Sequence, residues 1–288
     1  MMSKWKYWLT LAGWKVNALL HATGLTRIPV MGRIWFSFKR LAARMISSGR
    51  GVPVQLGGQS VNIHPFTIAY GIDDWEPYTT ELFKKVLKPG STVLDIGAHH
   101  GYFSLLAARC VGPEGKVYAF EPASANFRIL QKNMELNSFL NVIAVNRAVG
   151  DKNTSMAFYY RQETGVTGSL FSFQRPDEST ITVECVTIDE YLAGNSVDVI
   201  KMDIEGAEPL ALEGMKETVA TSKEVVLFVE INPDCLSQGG VEPDGFISRL
   251  HDAGFECQII DEDGRSLKAI DGDPGFCNLY CVKTAVAT

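Results

Sequence analysis

Asp95, Gly97 and Gly101 stand in the run VLDIGAHHGYF, where an apolar stretch ends in an acid, a glycine turn follows and an amphipathic stretch begins. The glycines do not meet the dinucleotide pattern G-x-G-x-x-G, which disfavours a pyrophosphate at the helix start. A G-x-x-x-G loop with an acid ahead of it suits a ligand whose loop-facing end is an amino acid. Asp95 would orient the loop or accept from an ammonium, and Gly97 would let the backbone approach closely. Ala98, His99, Tyr102 and Phe103 complete the loop and the start of the helix. Glu121 follows Gly97 by 24 positions, ends the next apolar run in VYAFEP and precedes Pro122. An acid at that place accepts hydrogen bonds from ribose hydroxyls. Taken singly, the glycines suit any strand–helix turn and Glu121 suits a solvated strand end. Together they point to adenosine carrying an amino-acid end, which is S-adenosylmethionine.

A second set of acids follows later in the chain. Asp203 and Glu205 lie in KMDIEGAE, and Glu230 and Asn232 lie in FVEINPD. Methyl transfer is an in-line displacement, and much of the task is alignment and exclusion of water. An aliphatic hydroxyl needs a base or a metal to strip its proton. Asp203, Glu205 and Glu230 are the candidate catalytic carboxylates, and Asp203 is also placed at the cofactor. Hard oxygen ligands from Asp203, Glu230 and Asn232 could instead hold Mg²⁺ or Ca²⁺. The structural alternative is that Glu205 caps a helix and Asp203 orders loops. Of the histidines, His99 and His100 are nearest the glycine loop, and His64 and His251 belong to scaffold or surface.

These residues need strand ends to stand on. Thr92–Ile96, Lys116–Phe120, Asn141–Val145, Asp198–Met202 and Glu224–Glu230 are short apolar runs without helical period. Helices are expected over Glu76–Leu87, Tyr102–Cys110, Ala123–Asn137, Pro209–Ala220 and Glu242–Ala253. Buried parallel strands alternating with helices give an open sheet with helices on both faces. Two departures interrupt the pattern. Ser155–Tyr160 and Thr180–Val186 are β-rich and read as an inserted hairpin, with Gln162–Pro176 as a mobile loop. Phe255–Ile260 and Phe276–Lys283 are joined by the turn-rich Asp261–Gly275 without a helix, so they should pair antiparallel.

LDIGAHHGYFSLLAA, VYAFEPASANFRILQKNMELN and VIKMDIEGAEPLALEGM resemble, in this order, the three signatures of the FkbM-type S-adenosylmethionine-dependent methyltransferases, over about Lys88 to Pro233. The resemblance implies a Rossmann-like class I methyltransferase fold: a mostly parallel seven-stranded sheet with a final antiparallel strand. It implies O-methylation of a sugar, glycan, polyol or polyketide-type hydroxyl. Ala148, Val149 and Asp151 match the family's loop after the third strand, which would flank adenine. His99 departs from the Asn more usual at its place. N-methylation on the same fold is one alternative, and a non-catalytic S-adenosylmethionine-binding module is another.

The chain has 288 residues, 46% hydrophobic and 21% charged, which excludes disordered, collagen-like and multi-spanning membrane classes. Residues 1–50 hold nine Lys and Arg and no acid, so the balance of -6 over the whole chain means −15 over the rest. The excess of acid argues against nucleic acid as a partner. The expected organisation is a basic helical arm over 1–50, accessory strands and a helix over 51–87, and a methyltransferase domain over 88–288 with a β insertion at 151–187. The apolar run Tyr7–Trp14 is too short to span a bilayer, and no small-x-small cleavage site follows it. With Trp5, Trp8 and Trp14, the arm suits an anionic membrane surface. A second copy of the chain is the other partner expected there. Six cysteines without a C-x-x-C pair read as reduced thiols, and the expected location is cytoplasmic, peripheral at the inner face of the membrane.

Overall fold

The computed structural model describes residues 51–68, 76–161 and 168–284. The basic arm over 1–50, and residues 162–167 of the expected loop, lie outside the described residues. In chain order, β1 (Val52–Leu56) and β2 (Gln59–Ile63) form a hairpin, followed by the turn α1 (Pro65–Ile68) and helix α2 (Pro77–Val86). Then come β3 (Thr92–Ile96), α3 (Tyr102–Val111), β4 (Lys116–Phe120), α4 (Ser124–Asn137), β5 (Val142–Val145) and β6 (Ala148–Val149). The insertion supplies β7 (Thr154–Arg161), β8 (Gly168–Ser169) and β9 (Glu178–Val186). The remainder is α5 (Ile188–Leu192), β10 (Val199–Met202), α6 (Glu208–Glu213), α7 (Lys216–Thr221) and β11 (Val225–Ile231). It closes with α8 (Pro233–Gln238), α9 (Pro243–Asp252), β12 (Glu256–Asp261), β13 (Ser266–Lys268) and β14 (Cys277–Lys283).

The main sheet runs β13-β12-β14-β11-β10-β3-β4-β5. Strands β3, β4, β5, β10 and β11 pair in parallel, and β14 pairs antiparallel with both β11 and β12. This is the expected Rossmann-like sheet with one reversed strand. The eighth strand, β13, is an addition that the turn-rich Asp261–Gly275 did not announce. It zips onto the free edge of β12, where Lys268 pairs with Asp261 at 2.5 Å. The chain leaves β3 towards β4 on one side and returns to β10 on the other. That reversal opens a crevice at the carboxyl ends of β3 and β10, where doubly wound sheets take ligands.

Apolar side chains fill both faces of the sheet. On one face, Phe83 of α2 meets Phe103 and Phe228 edge-on at ring distances of 5.1 and 5.4 Å, which seats α2 and α3 on the sheet. The amino end of α2 is held from far along the chain. Glu262 accepts from the backbone N–H groups of Tyr78 and Thr79 at 2.7 and 2.8 Å and from the Thr79 hydroxyl at 2.6 Å. On α4, Asn133 is fully buried and accepts from the N–H of His64 at 2.5 Å. Its amide donates to the carbonyl of His100 at 2.7 Å and to Thr67 Oγ1 at 3.1 Å. One side chain thus ties the β1–β2 hairpin to the glycine loop.

The insertion is a second sheet, ordered β6-β9-β7-β8, rather than a bare hairpin. Part of the expected loop is strand β8, and Leu170 behind it is buried. The expected helix over Pro209–Ala220 is split into α6 and α7. The break falls at Gly214, where a Cβ would stand 1.9 Å from the carbonyl oxygen of Gly150. The chain bends there to let the two backbones touch.

Candidate active site

A cavity of about 540 Å³ opens at the crevice between β3 and β10. Its floor is the glycine loop. Gly97 has φ 86, and a Cβ on it would lie 2.0 Å from the carbonyl oxygen of Asp203, so no other residue fits. The N–H groups of Gly97 and Ala98 both donate to the Phe120 carbonyl, at 3.0 and 2.9 Å. Gly101 serves the loop differently, from outside the cavity lining. Its φ is 90, and a Cβ on it would stand 2.6 Å from Leu130 Cδ1, so α3 starts tightly against α4.

Asp95 and Glu121 are both buried and both line the cavity. Asp95 accepts from the Ser104 hydroxyl, and burial pushes its carboxyl up to about 6. Glu121 is pushed up to about 7 by burial, against the hydrogen bonds that stabilise its charge. Its Oε2 accepts from the His99 N–H at 2.9 Å, and its Oε1 from the Ala123 N–H at 2.9 Å and the Asn126 amide at 3.3 Å. Glu121 is therefore the clamp of the loop as well as the candidate ribose acceptor. His99 has φ 52 and stacks on His100 with ring centres 3.9 Å apart. Burial pushes them down to about 3 and about 2, so both rings are neutral at ordinary pH.

Pro122, Ala148 and Val149 line the side expected to flank adenine, joined by Phe158 and Leu170 from the second sheet. Asp151 does not belong there. The chain turns at Gly150 against α6, and Asp151 is exposed outside the cavity lining.

The other side of the cavity is charged. Asp203 follows β10, with its Oδ2 3.7 Å from the ammonium of Lys201. Glu230, on neighbouring β11, is held above the usual carboxylate range by burial and by the charge of Asp203, with Lys201 opposing. Glu205 lies at φ 54, and its Oε2 accepts from the Cys235 thiol at 3.1 Å and the Asn232 amide at 3.5 Å. Burial and Asp203 raise it too. Glu205 is not the helix cap. Ala207 stands at the N-cap of α6 with no side-chain cap bond, and Glu208 instead orders the loop before it, accepting from the N–H groups of Ile204 and Gly206 at 2.9 Å each. Asn232 also lines the cavity, and its Oδ1 accepts from the Cys235 N–H at the start of α8. Oxygens of Glu76, Asp203 and Glu230 lie within 4.8 Å of one another.

The family model for the methyltransferase FkbM domain matches residues 95–257, more than half of the chain. The chain belongs to the FkbM family of S-adenosylmethionine-dependent methyltransferases. S-adenosylmethionine is its cofactor. The residues present fit that group, since the glycine loop and the strand-end carboxylates Asp95 and Glu121 line one cavity. This FkbM chain is 25% identical over 148 residues to Methyltransferase 1 of Beauveria bassiana, covering 44% of the chain and 59% of that protein. It is 33% identical over 102 residues to protein-L-isoaspartate O-methyltransferase of Aeropyrum pernix, covering 35% of the chain and 38% of that protein. The chain thus spans about three-fifths and two-fifths of the lengths of these two relatives. An S-adenosylmethionine-dependent O-methyltransferase of Thermotoga maritima superposes with a TM-score of 0.45 at 12% identity, over 86% of this chain and 83% of that one.

Lys201, Phe158 and Leu170 line the cavity and Glu76 lies beside Asp203 and Glu230, and none of these was read as a site residue from this FkbM sequence. Lys201 left a signal, a lone charge inside the apolar run VIKM. Glu76 left none, because only the packing of α2 on the sheet brings it to β10 and β11. Phe276, 68% exposed, stands at the rim.

Proposed function

We propose that the protein transfers a methyl group from S-adenosylmethionine to a hydroxyl of a sugar, glycan, polyol or polyketide-type acceptor. The observation that supports this reading is the meeting of Asp203 and Glu230, with Glu76 beside them, at one side of the cavity that Asp95 and Glu121 also line. When bound, the cofactor supplies a methyl group already activated for displacement. What remains for the chain is to position, to dry the site and to take a proton. Asp95 and Glu121 hold the amino-acid end and the ribose, and Phe103, Phe158 and Leu170 form apolar walls that exclude water. An aliphatic hydroxyl is a poor nucleophile near neutral pH, so a base with a raised pKa is suited to it. Glu230 holds its own proton up to about pH 9, and it is the ionised form whose carboxylate oxygen takes the hydroxyl proton while Asp203 orients the acceptor. The carboxylates at this end repel phosphate-rich acceptors, in line with a partner other than nucleic acid.

The test is turnover against an acceptor panel, found by mass spectrometry of metabolites with and without the protein. Glu230→Gln and Asp203→Asn should each lower turnover by about 10²–10⁴ and change cofactor affinity far less. Full turnover in both variants rejects the carboxylate base. Methylation confined to amines moves the reading to N-methyl transfer, and cofactor binding without turnover on any acceptor moves it to a binding module.

A further inference from the structure

Lys201 has no part in the steps above, yet it is a charged side chain buried within the site. It is 1% exposed, in a strand whose other members are Val199, Ile200 and Met202. A buried charge persists only when compensated. Lys201 lines the cavity, and its Nζ has no hydrogen-bond partner among the described residues. The Asp203 carboxylate at 3.7 Å is an ion-pair neighbour beyond hydrogen-bond reach. The Phe103 ring lies 5.2 Å away. Burial pulls the ammonium down, but Glu76, Asp203, Glu230 and Asp95 outweigh it and push it up to about 12.

The carboxylates around it come from four places in the chain, and Glu76 reaches its position at some cost. It sits at φ 45, in the left-handed region, at the amino end of α2. Three carboxylates within 4.8 Å of one another would suit a hard dication. A dication among them would stand beside the Lys201 ammonium and be repelled by it.

We infer that Lys201 is the built-in cation of this site: it gathers Glu76, Asp203 and Glu230 and takes the place that a divalent metal would otherwise fill. Lys201 is then a positioning residue, and the carboxylates work without a metal. The inference stands whichever atom of the acceptor is methylated.

The test titrates Mg²⁺, Ca²⁺ and Mn²⁺ by calorimetry into the full-length protein without cofactor or acceptor, so its outcome is separate from that of the methyl-transfer reading. Wild type and Lys201→Arg should show no saturable site at millimolar ion. Lys201→Met, which keeps the length and removes the charge, should gain a site with affinity at least about tenfold above wild type. Adding Glu230→Gln to Lys201→Met should remove that gain. A wild-type ion site that Glu230→Gln abolishes would overturn the inference. A Lys201→Met protein that is folded by circular dichroism and gains no ion would overturn it as well. Should Lys201→Met not fold, wild type and Lys201→Arg decide alone: refusal of all three ions supports the built-in cation, and binding by either protein overturns it.

Discussion

Glu121 does two things that substitutions can separate. It ties down the glycine loop through the His99 N–H, and it is the candidate acceptor for ribose. Glutamine keeps the size and one acceptor oxygen but loses the charge, and a hydrogen bond to a charged group contributes about 1.5–3 kcal/mol. Glu121→Gln should weaken S-adenosylmethionine binding at least about tenfold by calorimetry with the fold intact. An unchanged dissociation constant rejects the ribose role. Glu208 offers a test by pH. It is 2% exposed, and burial pushes it up to about 7 despite its hydrogen bonds. Between its unfolded and folded pKa the native state binds the extra proton, so stability falls as pH rises through about 7. Glu208→Gln does not titrate. Its melting temperature relative to wild type should therefore improve from about pH 5 to about pH 8. A difference that does not vary with pH would show that Glu208 is ionised throughout.

At the level of elements, the site depends on pieces that pack from outside the central sheet. α2 delivers Glu76, and the second sheet delivers Phe158 and Leu170. α4 holds the β1–β2 hairpin through Asn133, and Asn137 adds bonds to both the N–H and the carbonyl of Asn62, at 2.8 and 2.6 Å. Asn133→Ala leaves the His64 N–H and the His100 carbonyl without this partner in a buried place. Unfolding free energy should drop by roughly 1–3 kcal/mol, and limited proteolysis should cut first within residues 51–68. Loss of stability without early cleavage there would mean that the hairpin is held mainly by its apolar face.

For the whole molecule, charge is the main unused property. Nine cations and no anions over residues 1–50 face an acidic remainder. Among the described residues no helix is long and apolar enough to cross a membrane. The expected behaviour is weak, salt-sensitive binding to anionic vesicles, at about 1 kcal/mol per basic residue near the surface, lost on deleting residues 1–30. Co-sedimentation at low and high salt measures it. Absence of sedimentation at low salt, with a dimer that dissociates on the same deletion, would assign the arm to self-association.

The central parallel strands, the glycine loop and the acids at 95, 121, 203, 205 and 230 were legible in sequence, because buried parallel strands are continuous apolar runs and their carboxyl ends carry the chemistry. The helix split at Gly214 was not legible, since it answers to the backbone of Gly150, far away in the chain. Nor was the strand within the expected loop, since β8 is only two residues long and owes its place to β7. Asp151 matched a motif and yet lies outside the cavity, because a turn decides which way a side chain at a strand end faces. What the sequence by itself determined was the sheet and the residues lined up along its edge. Which acids meet was decided by tertiary structure alone: Glu76 joins Asp203 and Glu230 only because α2 packs across the strand ends, and Lys201 becomes the cation among them only because burial on both faces of β10 leaves it no solvent to turn to.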